Sequence, residues 1–290
     1  MDLIVSAISQ GLLWSLLSLG LFISFRILNI ADMTTEGVYP LGAAVCVTLI
    51  QQGMSPLSAT IIAMIVGSLA GLATAIFINI FKIPSLLAGI LTMTALLSVN
   101  LRVMGRPNLS LLNQKTIFDN FEKLNLPPYF DIIILGLIII SIIISLMYIF
   151  FNTELGQALI ATGDNPKMAV SLGISTKKMI TLGLMLSNSM VALTGAILSQ
   201  HNGYADVNSG LGVIVVALAA IIIGEVIFGD VNFVTRLVCI VFGSIIYRLL
   251  LVTVLKLNFI QANDFKIVSA LLIAIFLAIP ELKKIKGKVN

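Results

Sequence analysis

The sequence predicts an all-α, multi-pass membrane protein, and two observations predict it: the composition and the length of the apolar segments. Of the 290 residues, 59% are hydrophobic and 10% are charged, whereas soluble domains contain about 25% charged residues. A helix needs about 20 apolar residues to cross a bilayer, and apolar segments of that length recur along the chain. We therefore expect about eight to ten transmembrane helices, some of them broken, in a single domain over residues 1–290.

The first half of the chain contains four apolar segments, at residues 3–25, 37–50, 57–81 and 83–101. The first is uncharged and is closed by Arg26. The second follows a polar break and is too short to cross a bilayer comfortably. The third carries Gly67 and Gly71 at the small-xxx-small spacing of closely packed membrane helices. We expect this third segment to lie against a neighbouring helix.

The second half contains apolar segments at residues 132–153, 179–200, 207–224, 237–255 and 267–280. A turn-rich loop is expected at His201–Ser209, before the third of these segments. That segment ends at Gly224-Glu225, which predicts a polar interruption corresponding to the one before Gly37 in the first half. The two interruptions give the chain a weak internal repeat.

The placement of lysine and arginine predicts the orientation of the chain, because the cytoplasmic loops of membrane proteins carry an excess of these residues. The basic tail at 281–290 and the polar stretch at 153–178 are therefore placed in the cytoplasm. The polar insert at 105–129, with a predicted amphipathic helix at 116–124, then falls on the extracytoplasmic side. Its basic residues are balanced by Asp119 and Glu122.

The cytoplasmic stretch at 153–178 predicts two short helices. Gly163-Asp164-Asn165-Pro166 is a turn that ends on a proline at a first helical position. It separates predicted helices at 154–162 and 166–172, and Gly173 ends the second of them. One interpretation is an ordinary polar connection between two spans. The other is an amphipathic surface that binds a second protein at the membrane.

This stretch resembles the cytoplasmic coupling loop of bacterial ABC-importer permeases of the branched-chain amino acid and ribose type. The resemblance is carried by Gly156, Ala158, Ala161, Gly163, Asn165, Ala169, Gly173 and Ile174. In that family the loop docks into a groove on the ATPase subunit. The resemblance therefore implies a set of ATPase-coupling residues, namely Gly156, Ala161, Gly163, Asp164, Asn165, Ala169, Gly173 and Ile174.

The polar break in the first half makes the resemblance more specific. Residues 25–37, FRILNIADMTTEG, followed by PLGAA at 40–44, are similar to the subgroup of these permeases associated with tryptophan and tyrosine uptake. Ile222-Ile223-Gly224-Glu225 favours the same subgroup, since the branched-chain amino acid permeases usually have two glycines there. The resemblance covers nearly the whole chain.

Paired polar breaks indicate a substrate pathway, because broken helices are tolerated in a membrane only where they are buried in protein or line a cavity. Carboxylates at such breaks must face protein or water rather than lipid. The candidate pathway residues are Asn29, Asp32, Thr34, Thr35, Glu36, Asn100, Asn188 and Glu225.

Structural roles for these pathway residues remain open at this point. Asp32 and Glu36 would also suit a cap on the helix that begins near Gly37, because acidic residues favour helix N-termini. Glu225 would also suit an ion pair with Arg248. The two asparagines of the set would equally form hydrogen bonds between helices.

The chain is expected to be a non-catalytic subunit without a cofactor, because it lacks the GxxxxGK[ST] phosphate loop and ATP would be bound by a partner. The resemblance implies a second and most simply identical permease subunit, two cytoplasmic ATPases, and an extracytoplasmic binding protein or lipoprotein that docks on 105–129. No metal site is expected, because His201 has no ligands at metal spacing. No nucleic-acid site is expected either, because the net charge of +4 is small and the tail lysines orient the chain in the membrane.

The leading hypothesis is a permease in the bacterial inner membrane, part of an ATP-driven importer of an amino acid, with an aromatic side chain preferred. A branched-chain amino acid or another small solute is an alternative substrate. An ion-coupled secondary transporter, in which Asp32, Glu36 and Glu225 relay protons, is an alternative mechanism. A membrane scaffold that passes no substrate is a third possibility.

Overall fold

A computed structural model of the chain describes residues 2–119, 129–229 and 231–256, together with residues 267, 270, 271 and 274. The helices before the polar stretch at 153–178 are α1 (Asp2–Leu21), a π-helix (Phe22–Ile27), α2 (Thr35–Gln51), α3 (Pro56–Asn79), α4 (Ser85–Met104) and α5 (Phe130–Phe151). The helices that follow are α6 (Glu154–Asp164), α7 (Pro166–Ser171), α8 (Thr176–Asn202), a 3-10 helix (Val207–Gly210), α9 (Val213–Phe228) and α10 (Phe233–Lys256).

The prediction of an all-α, multi-pass membrane protein is confirmed. Within the residues that the structure describes, seven helical segments are long and apolar enough to cross a membrane. Helix α2 has 17 residues and is shorter than these, as its sequence predicted. The predicted span at 267–280 is described at only four positions, all helical. The basic tail at 281–290 lies outside the described residues.

The chain forms two compact units. The larger contains Leu19–Leu126 and Ser145–Ile214. Its centre is α8, which packs against α2 and α3. A side chain at Gly67 or Gly71 of α3 would meet the backbone of Asn188 or Leu184 on α8. The predicted close packing of these two glycines is therefore confirmed, and it allows α3 and α8 to approach closely.

The smaller unit contains Met1–Ser18, Pro127–Ile144 and Val215–Asn290. Within it, Gly11 of α1 lies against Ile245 of α10, and the Ser244 hydroxyl donates a hydrogen bond of 2.8 Å to the Gly11 carbonyl oxygen. Buried side chains from α9 and α10, including Ile223 and Tyr247, form its apolar core.

The predicted interruption at Gly224-Glu225 is wrong. Helix α9 continues through both residues to Phe228. A Cβ at Gly224 would lie 2.6 Å from the carbonyl oxygen of Cys239 on α10, so this glycine serves helix packing. Glu225 lies three residues before the helix ends, where a carboxylate does not require the helix to break.

A short antiparallel pair of strands, which the sequence did not indicate, joins the polar insert to the segment after α8. Strand β1 (Asn108–Ser110) pairs with β2 (Tyr204–Asp206) in the register Leu109↔Ala205. The loop predicted to start at His201 begins later, because His201 belongs to the last turn of α8. Most of the predicted amphipathic helix at 116–124 lies outside the described residues, since 120–128 are not described.

Candidate functional site

The polar break between the π-helix and α2 is present as predicted. The π-helix ends in wide turns, in which the Leu28 N–H donates to the Ile23 carbonyl oxygen at 3.0 Å and the Ile30 N–H donates to that of Ser24 at 2.9 Å. Asn29 then adopts a left-handed backbone conformation with φ 55°. Regular structure resumes at Thr35. Asparagine suits this position because it tolerates the left-handed region better than most residues.

Asp32 ties this break to α8. Its side chain is only 3% exposed. One carboxylate oxygen accepts a hydrogen bond from the Thr34 N–H at 3.0 Å, and the other accepts one from Nδ2 of Asn188 at 2.7 Å. Asp32 thus satisfies a backbone donor just before α2, and Asn188 on α8 donates to the break rather than to another helix. Two such bonds to a buried carboxylate offset part of its desolvation cost.

A chain of three buried hydroxyl groups connects the same break to α3 and α4. The Thr34 and Thr74 hydroxyl oxygens lie 2.8 Å apart, and Thr74 donates to Thr92 at 3.0 Å. Thr35 is buried beside them and donates to the Asp32 carbonyl oxygen at 3.0 Å. Hydrogen bonds therefore connect the break to α8, to α3 and, through Thr74, to α4.

Glu36 lines a cavity of about 300 Å³ in the larger unit. The cavity lies among α2, α4 and the 3-10 helix, and its other lining residues are Gly37, Pro40, Met93, Thr94, Leu97, Asn100, Val207, Asn208 and Leu211. Oε1 of Glu36 accepts a hydrogen bond of 3.0 Å from the Gly212 N–H. This bond holds the segment after the 3-10 helix against the start of α2. Gly210 makes the close approach possible, because a side chain there would meet the Glu36 carbonyl oxygen.

Asn100 supplies a second polar group to this cavity. Its side chain is fully buried, and Nδ2 donates to the Gly37 carbonyl oxygen at 3.1 Å. Its Oδ1 has no hydrogen-bond partner within the described part of the chain. Buried polar atoms are normally paired, so this acceptor is an exception within the described residues, as is Oδ1 of Asn188.

The polar stretch at 153–178 forms the two predicted helices, α6 and α7. The Thr153 hydroxyl caps α6 by accepting from the Gly156 N–H at 3.3 Å, and Oδ1 of Asn165 caps α7 by accepting from the Met168 N–H at 3.1 Å. Gly173 ends the pair with φ 82°, a conformation that favours glycine. We call residues 153–174 of this stretch the coupling segment, after the ATPase contact that the resemblance implies.

The coupling segment contacts the polar break directly. Nδ2 of Asn29 donates a hydrogen bond of 3.1 Å to the Gly163 carbonyl oxygen. A Cβ at Gly163 would collide with the carbonyl oxygen of Ile27 and with Leu28. The end of α6 is therefore seated on the end of the π-helix. Asn29 was predicted in the substrate pathway, but its side chain binds the coupling segment.

The outer surface of the coupling segment is apolar in places. Leu155, Met168, Val170 and Leu172 are 46–67% exposed. By contrast, Gly156 and Ala169, which the resemblance implied as coupling residues, are buried within the segment. The sequence did not indicate that these four side chains are exposed, because the apolar residues of a short amphipathic helix are expected to face the interior of the protein. Exposed apolar side chains in a polar segment between two candidate membrane spans make this segment a candidate binding surface for another protein.

Most of the candidate pathway residues lie in the larger unit, where the structure brings several of them together. Asp32, Thr34, Thr35 and Asn188 form the buried network at the break, and Glu36 and Asn100 line the cavity next to it. Glu225 lies on α9, in the smaller unit. The sequence did not indicate the partners Thr74, Thr92 and Gly212, which are distant along the chain.

Comparisons with known proteins agree with this architecture. The family model described as branched-chain amino acid transport system / permease component matches residues 3–279. A tyrosine transport system permease protein of Clostridioides difficile is 37% identical over 99% of this chain and 94% of its own length. An uncharacterized protein of Rickettsia prowazekii is 39% identical over 79% of each chain.

More distant similarity extends to another import system. The autoinducer 2 import system permease protein LsrC of Yersinia pseudotuberculosis is 25% identical over 73% of this chain and 58% of its own length. No solved structure matches the chain. With seven helices among its described residues that are long and apolar enough to cross a membrane, and a family model that covers nearly all of its length, this multi-pass inner-membrane protein belongs to the branched-chain amino acid transport system permease family and is the permease component of a transport system.

Proposed function

We propose that the chain is the membrane subunit of an ATP-driven importer for an amino acid, with an aromatic, tyrosine-like side chain preferred. The observation that carries this proposal is the similarity to a tyrosine transport system permease over nearly the full length of both chains. In the proposed assembly, two permease subunits combine with two cytoplasmic ATPases, and an extracytoplasmic binding protein delivers the substrate. ATP is bound by the ATPases, since the chain has no phosphate loop.

The cavity beside Glu36 is the proposed contact point for the substrate's ammonium group. Glu36 gives the cavity a carboxylate acceptor, Asn100 and Asn208 are the amide residues that line it, and no basic side chain is among the described lining residues. An α-ammonium group carries a positive charge and three donors, so it matches a lining of this kind. Met93, Leu97 and Leu211 supply the apolar lining that a side chain requires.

The coupling segment is the proposed ATPase contact. Its exposed apolar side chains give a soluble partner a hydrophobic surface, and its inner side rests on the polar break through Gly163 and Asn29. A displacement of α6 by the ATPase would therefore move the residues that lead into α2 and Glu36. Rigid-body movement of packed helices is a common way to switch between two states.

A branched-chain amino acid is the second candidate substrate, because the matching family is described by that substrate class. The two candidates differ in the size and polarity of the side chain. The selectivity of uptake therefore decides between them.

The test is uptake into proteoliposomes that contain the permease with its partner ATPase, supplied with the binding protein. Radiolabelled tyrosine, tryptophan and leucine are compared with ATP inside, without ATP, and with a protonophore. The expected result is ATP-dependent uptake of tyrosine or tryptophan that leucine does not compete. Leucine preference would assign the second substrate class. Uptake that needs no ATP and is abolished by the protonophore would identify a secondary transporter, and absence of any uptake with a functional ATPase would favour a scaffold.

A further inference from the structure

A basic groove lies between the end of α3 and the beginning of α8, away from the proposed substrate cavity. Its volume is about 750 Å³, and Lys82, Lys177 and Lys178 line it. All three lysines are exposed. No acidic side chain is among the described residues that line the groove. Three positive charges are therefore concentrated at one end of two membrane-spanning helices without an acidic neighbour in the groove.

The two walls of this basic groove are fixed to each other. Nδ2 of Asn79, at the end of α3, donates to the Lys177 carbonyl oxygen at 2.9 Å and to the Thr181 hydroxyl at 3.0 Å. Helix α8 begins at Thr176, and its N-cap Ser175 makes no side-chain capping bond. The positive end of a 27-residue helix therefore adds to the charge of the lysines.

Part of the lining of the basic groove is apolar. Leu182, Met185 and Leu186 line it from α8, with the i, i+3, i+4 spacing of one helix face. Ile80, directly after α3, also lines it and is 68% exposed. These four side chains form an apolar trough in the same groove as the three lysines.

We propose that this basic groove binds an anionic phospholipid of the cytoplasmic leaflet. The phosphate would be held by Lys82, Lys177 and Lys178, and an acyl chain would lie along Leu182 and Leu186. Lysines near span ends favour the cytoplasmic side, and basic pockets between membrane helices on that side bind acidic headgroups. A soluble protein could pair with the lysines but would leave the apolar trough without a partner. A phospholipid matches both parts.

The test measures which lipids remain bound to the purified full-length chain. The chain is extracted from membranes that contain both phosphatidylglycerol and phosphatidylcholine. After delipidation, the lipids that remain bound to the chain are quantified by native mass spectrometry. Wild type is expected to retain phosphatidylglycerol preferentially. The triple variant K82Q/K177Q/K178Q should lose this preference about tenfold or more, since each lysine near the surface contributes to acidic-lipid binding.

A matched control neutralises the same number of exposed charges elsewhere, in R102Q/R106Q/K115Q, and should retain phosphatidylglycerol like wild type. Equal retention of both lipids by wild type, or equal loss in both triple variants, would overturn the proposal. Free inorganic phosphate at millimolar concentration should not displace the lipid, and displacement would assign the site to a soluble anion.

A measurement on wild type alone covers the case in which the triple variant does not fold. Hydrogen exchange at the start of α8, residues 176–186, should be slower in nanodiscs of phosphatidylglycerol than in nanodiscs of phosphatidylcholine. Identical exchange in the two lipids would overturn the proposal. Protection that requires the ATPase in either lipid would assign the basic groove to a protein contact instead.

Discussion

Nδ2 of Asn29 donates a hydrogen bond of 3.1 Å to the carbonyl oxygen of Gly163, although 134 residues separate the two along the chain. One partner belongs to the polar break after the π-helix, and the other belongs to the coupling segment. This contact joins the surface proposed for the ATPase to the buried network of Asp32. The proposed transport mechanism therefore depends on a small number of contacts that substitution can test one at a time.

Replacement of Gly163 by alanine tests whether α6 must rest on the π-helix. The new methyl group would collide with the Ile27 carbonyl oxygen, and overpacking of this kind costs about 1–3 kcal/mol. We expect ATP-dependent uptake to fall about tenfold, a factor that corresponds to about 1.4 kcal/mol, while ATP hydrolysis continues. Uptake and hydrolysis are measured in the same proteoliposomes.

The matched control for Gly163→Ala is Gly136→Ala on α5. A methyl group there would have only ordinary contacts, the nearest at 3.4 Å from Leu12. Both rates should stay at the wild-type level in this control. Normal uptake by Gly163→Ala would show that the close contact between α6 and the π-helix is not needed for coupling.

Asn29 can be tested by comparing two substitutions that remove the same hydrogen bond. Asn29→Gly keeps the left-handed conformation without strain, whereas Asn29→Ala must hold a β-carbon at φ 55°, which costs about 1–2 kcal/mol. Both variants should lower uptake. Asn29→Ala should also have the lower melting temperature, measured on the purified full-length chain. Equal melting temperatures would mean that the backbone at this position relaxes.

The break at Asn29–Thr34 was predictable because polar residues stand out in an apolar chain. Its partners were not, since the Gly212 N–H that binds Glu36 lies 176 residues away. The same reasoning failed at Gly224-Glu225, where a glycine that serves helix packing and a carboxylate near a helix end look like a break in the sequence. Local composition shows where polar groups occur, but their role depends on which helix lies opposite.

The hydrogen bond between Asp32 and Asn188 predicts strong energetic coupling between the two side chains. An intramolecular hydrogen bond contributes about 0.5–1.5 kcal/mol to stability, and leaving one buried partner unpaired costs about 1–3 kcal/mol. We expect Asp32→Ala and Asn188→Ala each to destabilise the protein, and the double variant to be hardly less stable than either single one. A double-mutant cycle on the unfolding free energy of the detergent-solubilised chain measures this coupling. Strictly additive effects would contradict a direct bond.

Glu36→Gln tests whether the cavity needs a negative charge. Glutamine keeps an oxygen that accepts from the Gly212 N–H, so folding should be unchanged, but the proposed charge pairing with an ammonium group is lost. We expect uptake to fall at least about tenfold, in line with the 1.5–3 kcal/mol of a charge-assisted hydrogen bond. Melting temperature and ATPase co-purification should remain normal.

Asp131→Asn, at the start of α5, is the control for Glu36→Gln, because it removes a half-buried carboxylate that does not line this cavity. Its uptake should equal that of wild type. Unchanged uptake by Glu36→Gln, with the ATP dependence intact, would leave Glu36 with only the structural bond to Gly212.

The exposed apolar side chains of the coupling segment predict where the ATPase binds. Val170 is 59% exposed and Leu172 is 67% exposed, so the double variant Val170→Ser/Leu172→Ser should fold normally. Its co-purification with the ATPase should drop about tenfold or more, because full burial of one such side chain is worth about 1.5–3 kcal/mol. Leu112→Ser, 79% exposed in the polar insert, is the control and should co-purify at the wild-type yield. Loss of ATPase from both variants would indicate a general effect of lowered surface hydrophobicity, whereas retention by both would place the ATPase contact elsewhere on the chain.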